Sequence, residues 1–197
     1  QLTSKYIIMA VPLFIFTAKV MNKGKITELI FGFAERLVGW LRGGMAHVNV
    51  IASLIFSGMT GSEVADATGL GLMEIEAMEK AGYRKDFAAA VTASSANIGP
   101  VFPPSIPMLF YSLISGASVG RLFLGGMVPG VLLAVVLMIA ITILAYKRGY
   151  GRGAKFVLSE TLKEFIKAFP ALLTPVVLLT GLYTGIITAT EAGALAG

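Results

Sequence analysis

Residues 94–107, SSANIGPVFPPSIP, place serines and an asparagine among four prolines. Proline donates no backbone hydrogen bond and clashes with the turn before it, so Pro100, Pro103, Pro104 and Pro107 cannot share one continuous helix. The break frees backbone carbonyls around Asn97 to Pro103 and leaves N–H groups where a second helical piece begins, near Ser105. Carbonyl, hydroxyl and amide oxygens suit a hard monovalent cation, whereas a helix N-terminus favours an anionic group. A second polar cluster, Ser57, Thr60 and Ser62 in SGMTGSEVAD, could close the same site from the opposite side.

Other chemistry is sparse. There is no Cys, hence no disulfide, thiolate nucleophile or Cys metal site, and the one His has no acidic cluster near it in sequence. No GxSxG, HExxH or Walker glycine loop occurs, nor paired aspartates in consecutive spans, so the reading is not an enzyme and calls for no cofactor. His47 reads as a packed residue and Trp40 as an interfacial anchor. Glu63 and Asp66 most simply charge the start of a helix, with proton carriage as the alternative for carboxylates inside a membrane. Prolines also kink ordinary membrane helices, and small residues also serve close packing. A binding site is preferred because irregular backbone at membrane depth is tolerated only in protein or beside a water-filled cavity.

These residues sit in a very apolar chain. Of 197 residues 56% are hydrophobic and 14% charged, with mean hydropathy +0.81, whereas a soluble domain is about a quarter charged. Uncharged runs recur at 6–18, 44–62, 87–120, 122–146 and 168–190, and a spanning helix needs about 20 apolar residues. The expected class is an all-α membrane protein. The net charge of +5 does not imply nucleic acid, because Lys and Arg lie at the ends of apolar runs and report topology.

Charge placement then selects among topologies. If 44–62 crossed the membrane, Lys19, Lys23, Lys25, Arg36, Arg42 and Arg121 would face one side and the other basic residues the opposite side, with little bias. If 44–81 instead dips in and returns, all of the 16 basic residues except Lys5 and Arg121 collect on one face, as the positive-inside rule prefers. The acidic residues Glu63, Asp66, Glu74, Glu76 and Glu79 directly after the apolar run agree. Residues 58–62 are expected to supply the turn, with Thr60 and Glu63 at the spacing of a capping box.

The expected order is the end of a transmembrane scaffold helix (1–22), an amphipathic interfacial helix (23–43), a re-entrant hairpin (44–81) and a Pro/Gly-broken transmembrane helix (84–120). A plain span (121–147), a second interfacial helix (155–169) and a further span with the start of a second repeat (170–197) follow. In the first amphipathic segment, 26–42, Ile26, Leu29, Ile30, Phe33, Ala34, Leu37, Val38 and Leu41 share one face. The chain opens at Gln1 and stops inside a helical pattern, so it is expected to be a fragment, and no signal peptide is read.

Residues 41–71, LRGGMAHVNVIASLIFSGMTGSEVADATGLG, and 82–112, GYRKDFAAAVTASSANIGPVFPPSIPMLFYS, resemble the large membrane subunit of the tripartite ATP-independent periplasmic (TRAP) transporters of bacteria. The resemblance covers almost the whole chain. It implies the first half of an inverted-repeat, elevator-type transporter in the bacterial inner membrane, a multi-pass protein driven by Na+ as coupling ion. The solute would be a carboxylate such as a C4-dicarboxylate, a sialic acid or another organic acid. A periplasmic solute-binding protein would deliver it and a small membrane subunit would hold the transport subunit.

Carried over by motif, sodium binding falls to Ser57 and Thr60 of the hairpin tip and to Gly99, Phe102 and Pro104 of the break, the last three through carbonyls. Substrate contacts fall to Ser62, Ser95, Asn97 and Ser105. Thr60 stands where Ser is more usual, Phe102 where a smaller aliphatic is common, and Asn97 where a smaller polar residue is common. A second sodium site and a basic partner for the carboxylate are expected outside these residues. A stand-alone sodium-coupled carboxylate or anion symporter without a binding protein is the competing reading.

Overall fold

The computed structural model describes residues 9–13, 15–17, 19–20, 26–153, 155–184 and 186–196. Residues 1–8 and 21–25, which carry Lys5, Lys23, Lys25 and much of the expected scaffold helix, lie outside the described residues, as does Gly197. The expected all-α fold is observed: the described residues form helices and loops, with only an isolated antiparallel bridge between Arg42 and Arg152.

The described residues among 9–20 are helical, and the helices that follow are α1 (Ile26–Val38), α2 (Gly44–Thr60), α3 (Glu63–Lys80), α4 (Lys85–Ala96), α5 (Ile106–Ser115), α6 (Val119–Arg148), α7 (Leu158–Thr184) and α8 (Ala189–Ala196). Among described residues α6 and α7, with 30 and 27 residues, are long and apolar enough to cross a membrane. At 1.5 Å per residue they reach about 45 and 40 Å.

The fold is built around α2. Its sequence is apolar nearly all round, the pattern of a helix enclosed by others, and most of its 17 residues are buried. It lies against α1, α3, α4, α6 and α7. On one side Val48, Ala52 and Phe56 meet Ile30 and Ala34 of α1 and Ala171 of α7. On another, Ala46 and Val50 join Val91 of α4 with Ala134 and Ile141 of α6. The apolar stripe of α1 is thus covered within the chain, with Phe33 also packed on Phe165 of α7 at 5.6 Å between ring centroids.

Three sequence expectations are corrected. The helix expected over 26–42 ends at Val38, because Gly39 begins a turn that lets Gly43 pair with Gly151. The hairpin turn is not the whole of 58–62: α2 continues through Thr60, whose hydroxyl bonds back to the Phe56 carbonyl, and only Gly61 and Ser62 are outside helix. The N-cap of α3 is therefore Ser62, accepting from the Ala65 amide, rather than Thr60. Finally, 155–169 and the span after it are not separate helices, since α7 runs unbroken through Pro170 and Pro175. Phe165 before Pro170 packs on Phe33 of α1 and Ala171 after it is buried in one cluster with Ile30 and Ala34, so tertiary contact carries the helix past the proline, consistent with how proline is accommodated in membrane helices.

The α1–α7 contact combines a buried apolar face with an exposed ion pair between Arg36 and Glu160. Ile30→Ala is expected to cost about 2–4 kcal/mol by leaving a cavity, whereas Glu160→Ala should cost less than about 1 kcal/mol. Thermal or denaturant unfolding of the full-length subunit in detergent would show whether this order holds.

Candidate functional site

The 94–107 stretch divides as its prolines require. Helix α4 stops at Ala96, residues 97–104 form turns, Ser105 caps α5, and α5 carries Pro107 in its first turn. The Pro103–Pro104 peptide is cis. With 12 and 10 residues, the two half-helices reach about 18 and 15 Å, and neither alone crosses a hydrocarbon core of about 30 Å.

The hairpin tip meets this break backbone to backbone. The Ile106 amide, at the start of α5, donates to the Gly61 carbonyl at 3.1 Å. A Cβ at Gly61 would lie 2.2 Å from the Pro104 carbonyl oxygen, and one at Gly99 would lie 3.2 Å from the Glu63 amide nitrogen. Gly61 is also left-handed, with φ 61°. Only a residue without a side chain closes this approach cheaply. Behind the break, α6 offers Gly126 and Gly130, where a Cβ would lie 2.4 Å from the Val101 carbonyl oxygen and 2.8 Å from Phe102 Cβ.

Unsatisfied oxygens gather at this junction. Ser57 is fully buried and its hydroxyl has no hydrogen-bond partner, while its carbonyl accepts from the Gly61 amide at 3.0 Å. Among the described residues no hydrogen bond reaches the carbonyls of Gly99, Phe102 or Pro104. Thr60 is fully buried, and its hydroxyl leans on the Phe56 carbonyl at 3.3 Å. Buried oxygens are nearly always paired, and this group of free ones is the candidate site.

The residues expected to touch substrate are dispersed. Ser62 and Ser105 both cap helices, accepting from the Ala65 and Met108 amides, each at 3.3 Å. Ser105 also donates to the Pro100 carbonyl at 2.6 Å, which fixes the break. Asn97 is exposed and bonds back to the Ala93 carbonyl. Ser95 is fully buried away from the tip, donating to Asn49 Oδ1 at 2.6 Å and accepting from Ser53 at 3.2 Å. Asn49 in turn donates to Thr92 Oγ1 at 2.7 Å. Sequence reading missed this α2–α4 network, because its members are 42 to 46 residues apart. Their one legible signal is polar spacing along a buried helix, 49, 53 and 57 on α2.

The family model described as "Tripartite ATP-independent periplasmic transporter, DctM component" matches residues 1–197. The chain belongs to this family. It is 46% identical over 190 residues to a sialic acid TRAP transporter large permease protein of Vibrio cholerae, covering 96% of this chain and 44% of that protein. It is 41% identical over 191 residues to a C4-dicarboxylate TRAP transporter large permease protein of the same species, with 97% and 42% covered. A 2,3-diketo-L-gulonate TRAP transporter large permease protein of Escherichia coli is 33% identical over 189 residues, with 96% and 44% covered. The chain thus spans less than half the length of these curated relatives.

The tip-to-break contact makes a paired test available. Gly82→Ala meets nothing within 4 Å at φ 87° and should cost roughly 1 kcal/mol for its backbone conformation. Gly61→Ala carries the same strain plus the clash with Pro104, adding about 1–3 kcal/mol. Equal losses of thermal stability in the two variants would show that the tip is not seated against the break.

Proposed function

We propose that this chain is part of the large membrane subunit of a sodium-driven secondary transporter that imports a carboxylate solute across the bacterial inner membrane. The solute arrives on a periplasmic binding protein, and a small membrane subunit anchors the assembly. The observation that carries the reading is the junction of hairpin tip and broken helix, where the Ser57 hydroxyl and the carbonyls of Gly99, Phe102 and Pro104 lack partners. Such a donor set is neutral, oxygen-only and preorganised, as a hard monovalent cation requires. Thr60 joins it by rotating its hydroxyl from the Phe56 carbonyl.

A sodium ion bound there would tie the tip to the break and place a positive charge beside the N-termini of α3 and α5. Those termini already favour an anion, so ion and carboxylate stabilise one another, which is the coupling a symporter needs. Ser62 and Ser105 hold these termini in place as caps, with Asn97 and Ser95 next along the chain. The hairpin would be re-entrant, and the site would pass between the two membrane faces by an elevator-type movement of this body. The solutes named for the three relatives above, a sialic acid, a C4-dicarboxylate and 2,3-diketo-L-gulonate, each bear a carboxylate, which supports that substrate class, while isethionate, named for a further relative 39% identical, bears a sulfonate in its place.

The decisive experiment is uptake of a labelled carboxylate panel into proteoliposomes holding the full-length subunit and its small partner, with and without a sodium gradient and with and without the binding protein. Uptake that needs both is expected. Sodium-driven uptake without the binding protein would move the protein to the stand-alone symporters. In the same assay Ser57→Ala with Thr60→Ala should raise the sodium concentration for half-maximal uptake by about tenfold or more, equivalent to about 1.4 kcal/mol. An unchanged sodium response would remove both residues from the site.

A further inference from the structure

Helix α3 carries five glutamates and aspartates, and two of them face inward. Asp66 and Glu74 are 2% and 1% exposed, on the same buried face as Leu70, Gly71 and Met78. All four of their carboxyl oxygens are without a hydrogen-bond partner. The remaining three, Glu63, Glu76 and Glu79, are exposed. Close packing seals the inward face, since a Cβ at Gly71 would lie 2.9 Å from Thr92 Cγ2 of α4.

Among the described residues, the helices packed on α3 bring no counter-charge to this face; Lys19 lines a pocket with Val64, Ala65 and Thr68, of which Val64 and Thr68 are exposed. On α2 the titratable side chain is His47, whose Nε2 lies 3.3 Å from Thr142 Oγ1 of α6. On α4 the charged residues are Lys85 and Asp86, exposed in its first turn. Lys85 pairs with Glu79, Asp86 with Arg84, and Lys80 of α3 with Glu76. Ser53 of α2 is the polar side chain both carboxyl groups face, yet its hydroxyl bonds Ser95 instead. An isolated carboxylate charge buried without a partner is among the costliest arrangements in a protein. Neutralisation by a bound cation removes that cost, and a proton is the cation that needs no coordination shell.

We infer that Asp66 and Glu74 form a proton-binding site inside the hairpin, enclosed by α2, α3 and α4 and separate from the oxygens at the tip. Their backbones lie about 12 Å apart, eight residues along one helix, yet both side chains turn toward the one Ser53 hydroxyl; each carboxyl group binds its own proton, because a single proton would leave the other one charged and buried. The loaded hairpin then presents no buried net charge, whatever the solute and coupling ion.

Infrared spectroscopy of the purified full-length subunit in lipid nanodiscs at neutral pH tests this. Wild type should show carboxylic-acid carbonyl absorption that shifts in deuterated water. Asp66→Asn and Glu74→Gln should each remove about one carboxyl's worth of it, while keeping the wild-type melting temperature, because each amide resembles the protonated form in shape and charge. Unchanged carboxylic-acid absorption in both variants would overturn the inference. So would a wild type with no such absorption, a readout that needs no variant to fold. A large drop in melting temperature in both amide variants would also count against it, as it would mean that the charged forms hold the hairpin together.

Discussion

Two interrupted helices touch here through their backbones, and the arrangement depends on residues that have no side chain to interpose. Gly61 supplies a left-handed turn and a carbonyl for the Ile106 amide, and Gly99 lets the start of α3 lie against the break. A helix end normally satisfies its free N–H and C=O groups with caps or water. At this junction part of that work passes between elements: a residue of the hairpin turn accepts from the first amide of α5. What remains unpaired is a set of oxygens that neither helix could present alone.

The neighbouring interior is treated in the opposite way. Between α2 and α4 nearly every polar atom is paired: Asn49 uses its amide group on Thr92 and its carbonyl on Ser95, and Ser95 accepts from Ser53. Each such bond contributes only about 1 kcal/mol net, but an unpaired member would cost more than that. The network therefore fixes the rotation of α4 against α2, and with it the direction in which residues 97–104 leave the helix. Against this paired network, the free oxygens of the junction and those of the Asp66 and Glu74 carboxyl groups stand out.

Much of this was legible in the sequence where a single residue type dictates backbone geometry. The prolines at 100, 103, 104 and 107 place the interruption of 94–107 correctly, because the missing N–H admits few alternatives. The apolar run and the following acids identify α2 and α3 as separate helices. Where tertiary contact decides, the sequence misled. Thr60 resembles a cap, yet its hydroxyl turns back on Phe56 and the helix goes on. Pro170 resembles a boundary, yet α7 packs on α1 on both sides of it, through Phe165 before and Ala171 after. Glu74 resembles part of an exposed acidic run, although its spacing of four from Leu70 and from Met78 puts it on the inward stripe. The partners of Asn49 lie so far along the chain that no local pattern announces them.

The way α6 receives the break has a mechanical consequence. Gly126 and Gly130 form a notch one turn long, into which the backbone at Val101 and Phe102 fits with no room for another atom. A ratchet tooth seated in a notch of that kind transmits thrust along the helix axis without slip. Axial displacement of α6 would therefore drag the interruption, and the oxygens it exposes, through the same distance. Only rotation of α6 about its own axis would disengage them, and the other side chains of α6 packed on α2 and α4 oppose that rotation.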